Sequence, residues 1–234
     1  MYKADVCLTP DLIDRHNLGN RIAVVVDILR ATSCMVTGLA HHVVSIKPFT
    51  DLDECLKMRE KGWIVAGERG GKKVEGFDMG NSPFEYMADI TKDKHVAVTT
   101  TNGTVAIEKS QPADMVIIGA FLNLEAIGQL IRAQKKDCII VCAGWKGKVN
   151  LEDTLFAGAL LQYLEKTHQP EGDSAWIARQ AYINMAPSLS HYVKQSEHAL
   201  RLASHHVVKD IDFCLKKDEY QVVPVLRNGE LVRL

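Results

Sequence analysis

Short Val- and Ile-rich blocks recur along this chain, separated by stretches with helical spacing. Arg21-Ile-Ala-Val-Val-Val-Asp27, Val43-Val-Ser-Ile-Lys47, Trp63-Ile-Val-Ala66, His95-Val-Ala-Val-Thr99, Met115-Val-Ile-Ile-Gly119 and Cys138-Ile-Ile-Val-Cys142 read as strands. Several are apolar at consecutive positions, as strands covered on both faces are. Helical segments fall between them at about 32–41, 51–61, 83–90, 103–110, 123–134 and 151–166. Asp51 with Glu54, and Asn150 with Asp153, resemble N-cap signals ahead of periodic apolar positions. Strand and helix alternating in this way predict a three-layer helix–sheet–helix α/β fold with a mixed sheet.

From Ser174 onward the pattern turns helical, over 174–193, 196–207 and Asp210–Lys217, with a break near Pro187. A hairpin follows, built from Tyr220-Gln-Val-Val-Pro-Val-Leu226, the turn Asn228-Gly229, and Glu230-Leu-Val-Arg. Asn-Gly suits a type I′ turn, and Pro224 points to an edge strand. No Pro/Ser/Gly-rich linker sets this portion apart, so residues 1–234 are expected to form one domain on one sheet. A weak internal repeat aligns Val24-Val-Val-Asp-Ile-Leu-Arg-Ala-Thr32 with Val96-Ala-Val-Thr-Thr-Thr-Asn-Gly-Thr104. Two related strand–turn–helix halves would explain it, and so would the common geometry of such units. Either way both polar turns lie at carboxyl ends of strands, where ligands bind in open α/β sheets.

One segment has neither period. Ala66 to Pro83 holds five of the sixteen glycines together with Glu68, Arg69 and Asp78. It can bury little apolar surface, so its order must come from hydrogen bonds, ion pairs or a ligand. It reads as a binding loop, clamped by a strand before it and a helix start after it.

Three strand-to-helix turns carry further candidate chemistry. Asp27-Ile-Leu-Arg-Ala-Thr32 sets an acid, a guanidinium and a hydroxyl together, suited to a cation and an oxyanion, or else to an internal Asp27–Arg30 pair with Thr32 as cap. Thr99-Thr-Thr-Asn-Gly-Thr104 offers hydroxyls and backbone N–H groups for an oxyanion. Ala143-Gly-Trp-Lys-Gly-Lys-Val-Asn-Leu-Glu-Asp153 offers Lys146 and Lys148 to an anion. Its Glu152 and Asp153 would bind a metal or stabilise the helix dipole. Ser196-Glu-His198 and Asp210-Ile-Asp212 are the remaining candidates, with His198 as a general acid or phosphate ligand, or an ordinary helix residue. His41-His42 and His205-His206 lack the spacing of helix-face metal pairs.

Composition narrows the field. With 28 basic and 29 acidic residues the net charge is near zero, and neither a nucleic acid nor a membrane is an expected partner. No uncharged stretch approaches the ~20 residues that span a bilayer. Met1-Tyr-Lys-Ala-Asp-Val has no secretory apolar core, so a cytoplasmic location is expected. The six scattered cysteines then read as buried free thiols, Cys138 and Cys142 on one face of their strand. A homo-oligomer is compatible with this composition. The chain has no G-x-x-x-x-G-K-[ST], no G-x-G-x-x-G opening a helix, no H-E-x-x-H and no G-x-S-x-G.

The motifs together resemble one family, over nearly the full length and in order. They are V-V-D-I-L-R-A-T-S at 25–33, G-E-R-G-G-K-K-V-E-G-F-D-M-G-N-S-P at 67–83 and T-T-T-N-G-T at 99–104. A-G-W-K-G-K-V-N-L-E-D at 143–153, S-E-H at 196–198 and D-I-D-F-C at 210–214 complete the set. The chain resembles the 2-phosphosulfolactate phosphatase family. Phe156 departs from it, standing where a smaller residue, often Cys, is expected. The resemblance implies an α/β fold of its own type and Mg2+-dependent hydrolysis of 2-phosphosulfolactate to sulfolactate and inorganic phosphate, a step toward coenzyme M. It leaves open another small anionic phosphoester as substrate, or a non-catalytic protein that binds an anionic metabolite.

Asp27, Arg30, Glu68 and His198 are then expected to carry catalysis. Thr32, Arg69, Asn81, Thr100, Thr101, Asn102, Gly103, Thr104 and Lys146 are expected to bind substrate, and Asp27, Glu68, Asp78, Glu152 and Asp153 to hold Mg2+. Water could attack phosphorus directly, or a phosphoenzyme could form on Asp27 or His198. Asp27→Asn and Arg30→Ala are each expected to abolish phosphate release and leave stability within ~1–2 kcal/mol of the parent.

Overall fold

The computed structural model describes residues 1–204 and 207–234, and builds the Val/Ile blocks into a single sheet. In chain order the first elements are β1 (Tyr2–Cys7), β2 (Ile22–Val26), α1 (Ala31–Ala40), β3 (Ser45–Pro48) and α2 (Leu52–Lys57). Next come β4 (Ile64–Arg69), β5 (Lys72–Lys73), α3 (Pro83–Tyr86), β6 (His95–Thr99), α4 (Gly103–Ser110), β7 (Met115–Gly119) and α5 (Leu124–Gln134). Then follow β8 (Cys138–Cys142), α6 (Leu151–Leu164), β9 (His168–Glu171), α7 (Gly172–Met185) and α8 (Leu189–Lys194). α9 (Glu197–Ala203), α10 (Val208–Cys214), β10 (Pro224–Arg227) and β11 (Glu230–Arg233) complete the chain. His205 and His206, and with them part of the 196–207 helix expectation, lie outside the described residues.

Alternation along each strand feeds two cores. On β2, Ile22, Val24 and Val26 enter one core, and Ala23 and Val25 the other. β8 repeats this, with Cys138, Ile140 and Cys142 on one side and Ile139 and Val141 opposite. Ile127 of α5, Leu160 of α6 and Ala178 of α7 cover the first face, while Met35 and Leu39 of α1 and Ile107 of α4 cover the second. Three layers result, as the run pattern predicts. All six cysteines are buried and unpaired. Phe156 packs edge-on against Phe121 with ring centroids 5.4 Å apart, so the family departure is absorbed inside the core.

The layer of α6 on α7 is unusually close at Gly158. A Cβ there would stand 2.1 Å from the Ala178 carbonyl oxygen. Gly158→Ala is expected to cost about 1–3 kcal/mol through overpacking, read as a lowered Tm in a thermal melt. An unchanged Tm would mean that the two helices are not held at this distance.

The strands run in the order β5-β4-β6-β3-β11-β10-β7-β2-β8-β1-β9. β4, β6 and β3 are mutually parallel, as are β7, β2, β8, β1 and β9. Between the blocks stands the β10–β11 hairpin, antiparallel to β7 on one side and to β3 on the other. Three reversals in succession make the two blocks run in opposite directions. β2 hands over through α1 to β3 in the far block, and β6 hands over through α4 to β7 in the near one. The two aligned units thus exchange their second strands, β3 lying beside β6 and β7 beside β2.

Two expectations change here. The hairpin is central, whereas Pro224 pointed to an edge. Pro224 is the first residue of β10, and that strand meets β7 only through Val225 opposite Ile117, so the missing N–H interrupts no ladder. The segment 66–83 is also less irregular than its sequence. β4 continues through Glu68 and Arg69, turns, and pairs antiparallel with β5. Asp51 caps α2 as expected, accepting from the Glu54 N–H at 2.8 Å.

Candidate active site

Three strand ends deliver the site. After β2 the chain turns sharply, with the Asp27 N–H donating to Thr32 Oγ1 at 2.9 Å and the Thr32 N–H donating to the Asp27 carbonyl at 3.1 Å. Both bonds are buried, so Thr32 is spent on shaping the turn. α4 begins against α1 with no room to spare: a Cβ on Gly103 would lie 2.7 Å from Ala31 Cβ and 2.8 Å from Asp27 Oδ2. Glycine is required there by close approach. At the end of β4, Glu68 accepts from the Gly71 N–H and, at 3.4 Å, from the Thr101 N–H. These contacts tie the ends of β4 and β6 to each other beside the end of β2.

Asp27, Arg30, Glu68, Asn81, Asn102, Trp145 and His198 line a small cavity of about 10 Å³, room for roughly one water molecule. Seven side chains from five separated segments meet here. Asn81 Oδ1 is buried and has no hydrogen-bond partner among the described residues. An orphaned acceptor of this kind costs about 1–3 kcal/mol unless something occupies the cavity.

The imidazole is set by a carboxylate. Glu152, fully buried in the first turn of α6, places Oε1 2.7 Å from His198 Nδ1. Ser196 Oγ donates to Glu152 Oε2 at 3.2 Å and caps α9 by accepting from the Ala199 N–H. Glu152 therefore holds the proton on Nδ1 and leaves Nε2 for chemistry. Asn150, at the N-cap position of α6, turns its side chain to His198 at 3.3 Å and caps nothing.

Arg30 is clamped instead of paired with Asp27. Its Nη1 donates to Asp210 Oδ2 at 2.6 Å and its Nη2 to the Gly71 carbonyl at 3.0 Å, while Ser82 Oγ donates to Asp210 Oδ1 at 3.0 Å. Sequence reasoning noticed Asp210 but assigned it no place. Its partner lies 180 residues away, and no local pattern announces such a pair.

Several expected residues sit elsewhere or are already occupied. Arg69 follows Glu68 on β4 and so faces the other way, donating to the Glu68 carbonyl at 2.7 Å and Thr99 Oγ1 at 2.9 Å. Asp78 accepts from the Val65 N–H at 2.9 Å and pairs with Arg59 at 2.7 Å, outside the cavity. Asp153 accepts from the Ile28 N–H at 2.9 Å and the Gly144 N–H at 3.1 Å, joining two site loops. Thr100 and Thr104 bond to each other across one helical turn at 3.2 and 3.0 Å. Lys146 donates its backbone N–H to Asn102 Oδ1 at 3.3 Å, and its Nζ lies over Trp145, 5.5 Å from the ring centroid. Thr101 reaches Glu68, and Asn102 lines the cavity.

The electrostatics suit a cation. Burial is the largest cause raising the Asp27 pKa to about 6, the His198 charge opposes it, and Glu68 and Glu152 raise it further. Burial likewise pushes Asp153 well above the usual carboxylate range, with Glu152 and Asp27 adding to the effect. Among the described residues no three His, Cys, Asp or Glu side chains already form a ligand set. Mg2+ does not require one, since it takes one or two carboxylates and completes its shell with waters and substrate oxygens. Asp27, Glu68 and the orphaned Asn81 Oδ1 fit that demand.

The family model for 2-phosphosulpholactate phosphatase matches residues 7–229. The chain belongs to that family. Its members are phosphoric monoester hydrolases, and this chain is an enzyme of that class. It is 39% identical over 212 residues to a protein of Thermotoga petrophila, covering 91% of this chain and 92% of that one. It is 36% identical to a protein of Caldanaerobacter subterraneus subsp. tengcongensis, covering 94% of each. A Clostridium acetobutylicum protein is also 36% identical, covering 98% of this chain and all of that one. All three are named probable 2-phosphosulfolactate phosphatase. Among the described residues no helix is long and apolar enough to cross a membrane.

Proposed function

We propose that this chain hydrolyses 2-phosphosulfolactate to sulfolactate and inorganic phosphate, with Mg2+ bound by Asp27, Glu68 and Asn81. The observation that carries this reading is the convergence of a carboxylate-held imidazole, His198 on Glu152, with the paired acids Asp27 and Glu68 at one cavity. Mg2+ would supply charge neutralisation on the phosphoryl oxygens, the demand that dominates phosphoryl transfer.

The leaving group is a secondary alkoxide, a poor one unless protonated. His198, as the imidazolium, delivers its Nε2 proton to the ester oxygen as the bond from phosphorus to that oxygen breaks. Water forms the new bond to phosphorus, and its protons stay on the product phosphate, which returns one to Nε2. Glu152 steadies the imidazolium. Arg30, fixed by Asp210 and the Gly71 carbonyl, stands at the cavity wall as a cation whose position needs no adjustment on binding.

Phosphate release from 2-phosphosulfolactate and other three-carbon phosphoesters, with Mg2+ and with chelator, tests the reading. Chelation is expected to abolish release. His198→Gln is expected to lower kcat by about 10²–10⁴ for the alkyl phosphate and far less for an aryl phosphate, whose leaving group departs unprotonated. No release from any member of the panel would favour a non-catalytic anion-binding protein.

A further inference from the structure

A second cavity of about 130 Å³ adjoins the first, sharing Trp145 and His198 as walls. Arg201 of α9 lines it and is the group that the catalytic reading leaves unused. Its guanidinium carbon lies over the Trp145 indole, 3.5 Å from the ring centroid. Glu197, one turn earlier on the same helix, is the ordinary surface partner for an arginine, yet the two form no ion pair. Nε and Nη2 of Arg201 are both buried and both lack a hydrogen-bond partner among the described residues. These two donors share one edge of the guanidinium, the side-on fork that grips two oxygens of an anion at once. Desolvating such a fork without an acceptor is costly, and stacking on an indole offsets only part of it.

We propose that this cavity is the subsite for the sulfonate of the substrate, with Arg201 as its bidentate clamp and Trp145 as the ring that backs the clamp. This rests on the functional reading above. The carboxylate is bonded directly to the carbon that bears the phosphate ester, whereas the sulfonate is one methylene further out. The sulfonate is therefore the group able to reach past Trp145 and His198 while the phosphoryl group stays at Asp27. Lys148 borders the same cavity and adds a second positive charge, against Glu197 at its rim; Glu152 is already engaged by His198 and Ser196.

The test compares the parent with Arg201→Met, which keeps the apolar stem on Trp145 and removes the fork. Specificity is read as the ratio of kcat/KM for 2-phosphosulfolactate over 2-phospholactate, which lacks the sulfonate. The ratio is expected to fall at least ~10-fold in the variant, carried by KM. Calorimetric titration with sulfolactate gives a readout without turnover: its Kd is expected to rise at least ~10-fold, and that of inorganic phosphate to rise far less. If both substrates lose equally and the ratio is kept, Arg201 is structural and the subsite is overturned. If sulfolactate binding depends on Arg201 but no phosphate is released from 2-phosphosulfolactate, the subsite stands and the catalytic reading falls.

Discussion

Asp27→Asn is expected to lower kcat/KM by on the order of 10³-fold while making the metal-free protein more stable at pH 8. The two effects share a cause. Burial, with Glu68 and Glu152 close by, lifts the Asp27 pKa to about 6, above its value in the unfolded chain. The folded state then binds this proton more tightly than the unfolded state does. Stability from this group is present below about pH 4 and is lost as pH rises to about 6, a difference of about 3 kcal/mol. Asparagine keeps the shape and never ionises. The variant should match the parent near pH 4 and exceed it at pH 8 in urea unfolding with chelator present. Added Mg2+ should narrow the gap by stabilising only the parent. A variant no more stable at pH 8, or one that retains a tenth of the turnover, would contradict the placement of Asp27 as a buried cation ligand.

Arg30→Ala is expected to cost about 3–5 kcal/mol of stability, so its loss of activity cannot be read as chemistry alone. The sequence alone suggested a change within ~1–2 kcal/mol, since the partner of Arg30 is not visible in the local turn. The fold buries it to 5% exposure against Asp210 at 4%. Truncating the arginine leaves the buried Asp210 carboxylate with Ser82 Oγ as its one remaining side-chain donor among the described residues and takes the Arg30 donor from the Gly71 carbonyl. Arg30→Met with Asp210→Leu removes both charges and should recover a large part of the loss, measured by chemical denaturation. If the double variant is no more stable than Arg30→Ala, the pair does not carry the energy assigned to it.

Local pattern made the layers legible and long-range pairing invisible. The blocks that became β2, β6, β7 and β8 are apolar on consecutive positions, and burial on both faces explains each. β1 and β9 escaped notice because Tyr2-Lys-Ala-Asp-Val-Cys and His168-Gln-Pro-Glu carry charge and proline; β9 is the edge strand, which tolerates them, and β1 pairs between it and β8. At the site, the strand-to-helix turns were found because glycine, threonine and acids cluster there. The side chains' directions were not. Glu68 and Arg69 are adjacent on a strand, and only one of them can face the cavity. Asp78 and Asp153 look like ligands in a list of acids, yet both accept from backbone N–H groups that would otherwise be stranded. Arg201 gave no signal, since a lone arginine on a helix is ordinary until its stacking partner is seen.

The place of the β10–β11 hairpin bears on how this chain is made. β3 ends at residue 48 and β7 at residue 119, and neither gains its second neighbour until residues 224–233 arrive. During synthesis the two blocks therefore stand as half-finished sheets, each with a naked inner rim of N–H and C=O groups. Closure is a late, non-local event, which slows acquisition of the native state and lengthens exposure to self-association. Substitutions in the hairpin that touch no part of the catalytic cavity should accordingly show first in the yield of soluble protein.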